Sequence, residues 1–575
     1  MLWGSNTIKG LLLGMLVCAG LVACTNDDIV ENNGNQQPIE KANANLTLSI
    51  SASTNSARDA KDDEVGDGVH GGTANEGTIK DAVIIIAPNE SQSEGVAEYV
   101  QNVTLTGGLY EPQYQLNETG KYKVLVVLNP CGDIVTKLNT KPTPADAYSY
   151  IINYQTSTAA SNADAVKVVT GDNRDHFMMA NRDEVIVDVK STSSTTPTEQ
   201  AIDVERVVSK ITFRPKDGNK YGVETNVTTY NVVTEDGWLL NDDGTYTYIT
   251  LLNKAVDANG QTIWVYKKGA VTETYTQTTE EHAGKLADGS LKTAKLYTPI
   301  TPTVTNFTYV HDGSPVTTTE DWSVQLDKYA LVNLSNTVYA VRHKIANGSD
   351  WGKATPFGVL TSNDYLVDPN SAAKNAVALT DGLWTDNGAS AYFYNTANDL
   401  QASKDIYKDT YFSDLPKKGD ETILGEGNAL LSYCLENSVV ADQQKKGMVT
   451  AIIFRGLILD AEGNSVGTIY KYDGQYYRSL DALKATVPSY DAAKLITYTD
   501  GYCYYYAPIE HFADGLMKNA IMRNNIYSLA IESFTGIGSS TIIPKDGDKE
   551  DGASVFLKLK GTLLPWKVRL NNVKF

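Results

Sequence analysis

Apolar residues along much of this chain recur at every second position. In Ala44-Asn45-Leu46-Thr47-Leu48-Ser49-Ile50-Ser51-Ala52, the side chains of Leu46, Leu48 and Ile50 share one parity, the mark of a half-buried strand. Residues 184–189 alternate for most of their length. Residues 80–87 and 121–129 are instead continuous apolar runs, as in strands covered on both faces. Residues 204–213 read as one long strand, and further strands are predicted at 430–437, 448–456, 501–506 and 524–531. Asp242-Asp243-Gly244 between two apolar segments predicts a hairpin. Residues 144–152 predict a short helix, and the stretch from about 265 to 425 reads as loop-rich. Many short strands separated by Gly, Asn and Asp turns predict an all-β chain of two β-sandwiches in tandem, with a boundary near residue 215.

The last stretch, 554–575, carries the same alternation. Val555, Leu557, Leu559 and Leu563 share one parity, Lys558, Lys560 and Thr562 the other, and Phe556 is the apolar exception. At Leu564-Pro565 the parity switches, so that Trp566, Val568 and Leu570 become the apolar set. Proline cannot donate to a strand ladder, so a bend or bulge is expected at Pro565. Residues 544–552 are polar and include two glycines, a composition suited to a solvated tether. An amphipathic strand on a tether can complete its own sheet or the sheet of another molecule.

Composition narrows the function. The chain has 575 residues and a net charge of −20, with no basic patch, which argues against nucleic acid and against anionic lipid headgroups. Near the N-terminus, Lys9 precedes an apolar run at 11–17 that is too short to span a membrane comfortably. Leu21-Val22-Ala23-Cys24 resembles a bacterial lipobox. It predicts a lipoprotein signal over 1–23 and lipidation of Cys24. Cys131, Cys434 and Cys503 then remain, too few and too widely spaced for a disulfide framework or a zinc site, so three buried thiols are expected.

No catalytic constellation stands out, and no enzyme, metal or cofactor is predicted. The six histidines have no metal-protease spacing. Asp59, Asp62, Asp63, Glu64 and Asp67 lack the spacing of a calcium loop. Gly501-Tyr502-Cys503-Tyr504-Tyr505-Tyr506 could stack sugars, but in an alternating strand half of its rings face inward, and sheet packing is the expected use.

Four features together resemble the fimbrillins of Bacteroidales, the shaft subunits of type V pili. They are the lipobox at Cys24, the strand 46–52 followed by Ser56-Ala57-Arg58, the runs 433–437 and 522–527, and the terminal Leu563-Leu564-Pro565-Trp566-Lys567-Val568. The resemblance implies two transthyretin-like β-sandwich domains, at 59–215 and 216–543. It implies a propeptide at 24–58 that carries the removable strand of Leu46, Leu48 and Ile50. An arginine-specific protease would cut between Arg58 and Asp59, although an acidic residue in that position slows such cleavage. Residues 544–575 would be a tether and donor strand, through Val555, Leu557, Leu559, Leu563, Pro565, Trp566, Val568 and Leu570. The implied partners are other copies of the chain in a head-to-tail filament, accessory anchor and tip subunits, and host or bacterial surface receptors. The implied location is the surface fimbrium, reached from an outer-membrane lipoprotein precursor. The alternatives are an anchor or tip subunit of the same fimbria, or a surface carbohydrate-binding lipoprotein of a glycan-uptake system.

Overall fold

Alternation in the sequence becomes strand along most of the chain. The computed structural model describes residues 44–52, 70–71, 74–105, 109–156, 165–268, 271–346, 350–357, 364–376, 393–394, 412–420, 427–440, 448–511, 516–542 and 557–567. All of these belong to one compact unit, Asn43–Phe575. Among the described residues the strands form sheets of eight, five, eight and six strands, with two smaller ones. The all-β reading of the sequence is the observed one.

The first sheet runs, in spatial order, through Val96–Val100, Ala82–Pro88, Gly120–Leu128, Met179–Asn181, Thr198–Arg206, Ala44–Ala52 and Gln113–Leu116, with Val185–Val189 also on Gly120–Leu128. Val83 to Ile86 and Val124 to Leu128 are buried on both parities, as their continuous apolar runs predict. The helix at Pro144–Ile152 forms where expected. Pro144 opens it and the Thr143 hydroxyl accepts from the Asp146 N–H at 3.1 Å, a side-chain N-cap. Its buried residues Ala147, Tyr148 and Ile151 join the core, as do Ile134 and Leu138 of a second helix, Gly132–Asn139.

Residues 204–213 are not one strand. Thr198–Arg206 belongs to the first sheet and Ser209–Phe213 to the second. The change of sheet is fixed by backbone bonds on either side: Val207 donates to the Met178 carbonyl (3.1 Å), and Val208 accepts from Asn524 (2.8 Å). Both valines are buried, so the apolar run continues through the break and hides it.

The second sheet is ordered His70–Gly71, Leu557–Lys567, Asn525–Phe534, Ser209–Phe213 and Ala429–Cys434. The third runs through Lys220–Thr229, Val316–Val332 and Ala451–Leu459 and ends on Tyr502–Pro508. Rings bridge the two sheets, with Phe213 against Phe454 at 5.6 Å, Tyr221 stacked on Phe534 at 4.8 Å, and Tyr505 on Phe534 at 4.7 Å. Tyr504 and Tyr505 of the tyrosine-rich run are buried, so these rings pack sheets. Cys131, Cys434 and Cys503 are free and buried, in line with three buried thiols.

The expectation of loops from about 265 to 425 is corrected over its first part. Thr234–Leu240, Tyr246–Asp257, Thr262–Lys268, Val271–Lys285 and Leu291–Pro299 form a ring of strands. The ring closes because Thr234–Leu240 pairs with both Tyr246–Asp257 and Leu291–Pro299. Its core is Leu239, Leu252, Trp264, Tyr275 and Tyr297. The predicted hairpin at Asp242-Asp243-Gly244 is part of it, with Gly244 at φ 79°. Val271–Lys285 (VTETYTQTTEEHAGK) is mostly exposed on both faces, so no apolar parity exists to reveal it. Val316–Val332 continues the correction with seventeen residues of strand.

Candidate assembly site

The alternating sequence of Ala44–Ala52 produces a strand held on both edges. It runs parallel to Thr198–Arg206, from Leu46 opposite Thr198 to Ala52 opposite Val204. On its other side it is antiparallel to Gln113–Leu116. Further along that side Leu48 donates to Pro112 (3.1 Å) and Ile50 to Tyr110 (3.0 Å). Leu46, Leu48 and Ile50 are fully buried, in the same apolar core as Val83, Leu125 and Ile202. Withdrawing this strand opens a slot with an apolar floor and two rows of unpaired backbone groups.

Leu557–Lys567 lies in the second sheet. It pairs antiparallel with Asn525–Phe534, from Phe534 opposite Leu557 to Asn525 opposite Pro565. Trp566 and Lys567 pair parallel with His70 and Gly71. Leu557, Leu559, Leu563, Pro565 and Trp566 of the predicted donor set are therefore strand residues that complete the sheet of their own chain. Strand runs through Pro565 without a break, and the register shift falls between Ile531 and Ser533, opposite Leu559 and Lys558. Pro565 stands at the last position paired with Asn525–Phe534, where a missing N–H costs the ladder least. Cys24, Arg58, Asp59, Val555, Val568 and Leu570 lie outside the described residues.

Buried charges join the sheets that carry the two strands. Arg523 holds Glu436 through two parallel bonds, Nε to Oε1 at 2.7 Å and Nη2 to Oε2 at 2.6 Å. It also donates to the carbonyls of Ala340 (3.0 Å) and Tyr339 (2.8 Å). Arg342 pairs with Glu205, and Arg523 Nε stands 4.0 Å from the other Glu205 oxygen. All four side chains are at most 1% exposed, so each charge depends on its partners. Burial pushes the Glu205 carboxyl up against the pull of Arg342 and Arg523. Burial opposes the charge of Arg523, but Glu436 and Glu205 outweigh it and raise its pKa. Next in sequence, Asn524 adopts φ 58° and its Oδ1 accepts from Arg206. Asn525 caps the carbonyls of Met522 (3.1 Å) and Arg523 (2.9 Å). Glu205 and Arg206 sit at the end of the strand that flanks Ala44–Ala52, so this clamp borders the slot.

A second buried group anchors the segment that follows the predicted cut. Glu76 accepts from Lys210 Nζ at 2.8 Å and from the Tyr433 hydroxyl. Arg206 Nε donates to the Glu76 carbonyl at 3.0 Å. Arg523, Asn524, Tyr433 and Glu436 fall in runs that carry the family resemblance. Glu76, Glu205 and Arg342 gave no local signal, because each finds its partner far away in the sequence. Among the described residues no group of His, Cys, Asp and Glu could hold a metal ion.

No curated protein sequence matches the chain. Solved structures similar to it include a fimbrilin from Porphyromonas gingivalis, at 15% identity and a TM-score of 0.38, over 91% of this chain and 98% of that one. Another is the tip fimbrial protein from Porphyromonas gingivalis with C-terminal truncation, at 8% identity and a TM-score of 0.34, over 91% of this chain and 100% of that one. Residues 496–572 match the family model described as major fimbrial subunit protein type IV, fimbrillin, C-terminal. The matched span takes in Asn525, Tyr527 and the whole of Leu557–Lys567. Through these C-terminal residues the chain is similar to the fimbrillin family.

Proposed function

We propose that the chain is a structural subunit of a cell-surface fimbria that supports adhesion. In this reading it is exported as a lipoprotein on Cys24 after loss of 1–23, and an arginine-specific protease cuts after Arg58. Residues 554–575 of one copy then enter the slot that Ala44–Ala52 of another copy has left. Residues 59–215 and 216–543 form the two domains of the shaft subunit, and anchor and tip subunits end the filament. Surface receptors are its targets.

The observation that carries this reading is the first strand itself. It is fully paired, its three large aliphatic side chains are buried, and Arg58 follows it within a few residues. Burial of three such side chains is worth roughly 5–9 kcal/mol, at about 1.5–3 kcal/mol each. That sum is lost when the strand leaves and regained when Leu557, Leu559 and Leu563 of another copy take its place. A contact in which one copy gives a strand and the next receives it does not close, so it propagates as a filament. The pairing of Leu557–Lys567 with Asn525–Phe534 is then the resting position of a tail that has not yet found a partner. The anchorage of Glu76 supports the same order of events, since it holds the new N-terminal segment in place after the cut.

Trypsin treatment of purified precursor, followed by electron microscopy, tests the proposal. Filaments should form, and protein recovered from cells should begin at Asp59. Cleaved protein that stays monomeric would overturn it. A lipidated Cys24 on the cell-derived protein would replace the shaft role by that of an anchor.

A further inference from the structure

A buried cluster around Lys374 adjoins the Arg523 clamp, since its Asn437 directly follows the clamp's Glu436. Lys374 stands on the short helix Ser371–Ala376, Asp368 just before that helix, and Asn437 just beyond the strand Ala429–Cys434. Each is at most 1% exposed. Lys374 Nζ is 3.1 Å from both carboxylate oxygens of Asp368, 3.0 Å from Asn437 Oδ1 and 3.2 Å from Ser335 Oγ.

The groups around the amine are fixed. Asp368 accepts from Ser371 Oγ (2.8 Å), the Asn370 N–H (2.9 Å) and the Ser438 N–H (3.3 Å). Asn437 Nδ2 donates to Thr450 Oγ1 (3.1 Å) and to the Asn333 carbonyl (3.4 Å). Its backbone exchanges two bonds with Ile521 (3.1 and 2.8 Å). An amine, a primary amide and a carboxylate are thus held together in a site shut off from water.

In water a lysine amine is protonated and a primary amide is inert towards it. Burial changes the balance, because it penalises both charges of an ion pair. Burial lowers the Lys374 pKa, with Asp368 acting in the opposite direction. When the proton passes from Nζ to Asp368, the amine becomes a nucleophile. It already stands in hydrogen-bond contact, at 3.0 Å, with Oδ1 of the amide whose carbon it attacks.

We propose that Lys374 and Asn437 are joined by an intramolecular isopeptide bond, formed within the folded chain with Asp368 as the proton carrier. Asp368 takes a proton from the Lys374 ammonium. The free amine adds to Asn437 Cγ, forming the Nζ–Cγ bond, and the electron pair of the carbonyl moves to Oδ1. The proton held by Asp368 is delivered to Nδ2, the Cγ–Nδ2 bond breaks, and ammonia leaves. One of the two protons left on Nζ passes through Asp368 to the departing ammonia, and the other stays as the N–H of the new amide. Atoms and charge balance, nothing is oxidised or reduced, and the one product besides the cross-link is ammonium. The bond closes the chain between Lys374 and Asn437 into a ring and ties the helix Ser371–Ala376 to the segment just beyond the edge strand Ala429–Cys434.

Peptide mapping of the full-length wild-type protein by mass spectrometry tests this. A branched peptide should appear that contains both Lys374 and Asn437, lighter than its two linear parts by one ammonia, and trypsin should fail to cut after Lys374. The variants K374R and D368N should give only the linear peptides. Linear, full-mass peptides around both residues in the wild type would overturn the proposal. A linear Asn437 peptide that has lost ammonia by itself, a succinimide, would also overturn it. The wild-type map decides even if a variant fails to fold.

Discussion

His511 and His343 are buried imidazoles beside guanidinium groups. Burial lowers the His511 pKa to about 3, with Arg342 adding to the effect. Burial likewise lowers His343 to about 4, against its bond to the Val341 carbonyl, with Arg523 adding to the lowering. In the unfolded chain both titrate near pH 6.5. Below that value the unfolded chain binds protons that the fold refuses, down to the folded pKa values. Stability from this source is therefore intact above about pH 6.5 and falls by about 1.4 kcal/mol per pH unit for each imidazole as the pH drops. The variant H511Q should lose less Tm than the wild type between about pH 8 and about pH 5. Identical losses would show that His511 does not sense the pH. At this scale the sequence was legible where chemistry is local. Leu46, Leu48 and Ile50 are core, and the cysteines are buried thiols. It was silent where a charge meets a partner from another sheet, as Glu205 meets Arg342.

The strand Ala44–Ala52 behaves as a part that can be tested on its own. Leu48 is fully buried within it, so L48A should destabilise the precursor by about 2–5 kcal/mol. If the strand is removed before assembly, the same change should leave the stability of assembled, cleaved protein untouched. Urea unfolding of precursor and of filament-derived subunit makes the comparison, and an equal loss in both would mean that the strand is never released. Parity found this strand, and it found Leu557–Lys567, because each pattern of apolar positions is local. It failed where neighbours decide. Val271–Lys285 is strand because it lies between Thr262–Lys268 and Leu291–Pro299 in a closed ring, not because one of its faces is apolar. The break at Val207-Val208 is invisible because both sides of it are buried.

The whole molecule keeps that ring at the end of a long hairpin. Lys220–Thr229 and Val316–Val332 pair antiparallel up to Thr229 opposite Val316, and the ring occupies the chain between them. Replacing residues 234–309 by a short turn should therefore leave a folded subunit that still forms filaments, as judged by circular dichroism and electron microscopy. The contacts at its base, where His311 stacks on Tyr230 at 3.9 Å and stands 3.5 Å from Asp481, lie outside the replaced residues, so loss of folding would mean that the third sheet needs the ring itself. The two-layer β architecture was legible from the spacing of strands and turns. The order of strands within each sheet was not, since it depends on pairings between distant segments such as Ser209–Phe213 with Asn525–Phe534. The first strand lies between one parallel and one antiparallel neighbour, which gives the slot a sense as well as a shape. A replacement that keeps both ladders must run the same way as the strand it replaces. Under the proposed exchange, every copy added to a chain of such subunits would face the same direction, and the two ends of the polymer would differ. One end would present an empty slot and the other an unspent tail, so growth and termination at the two ends would call for different caps.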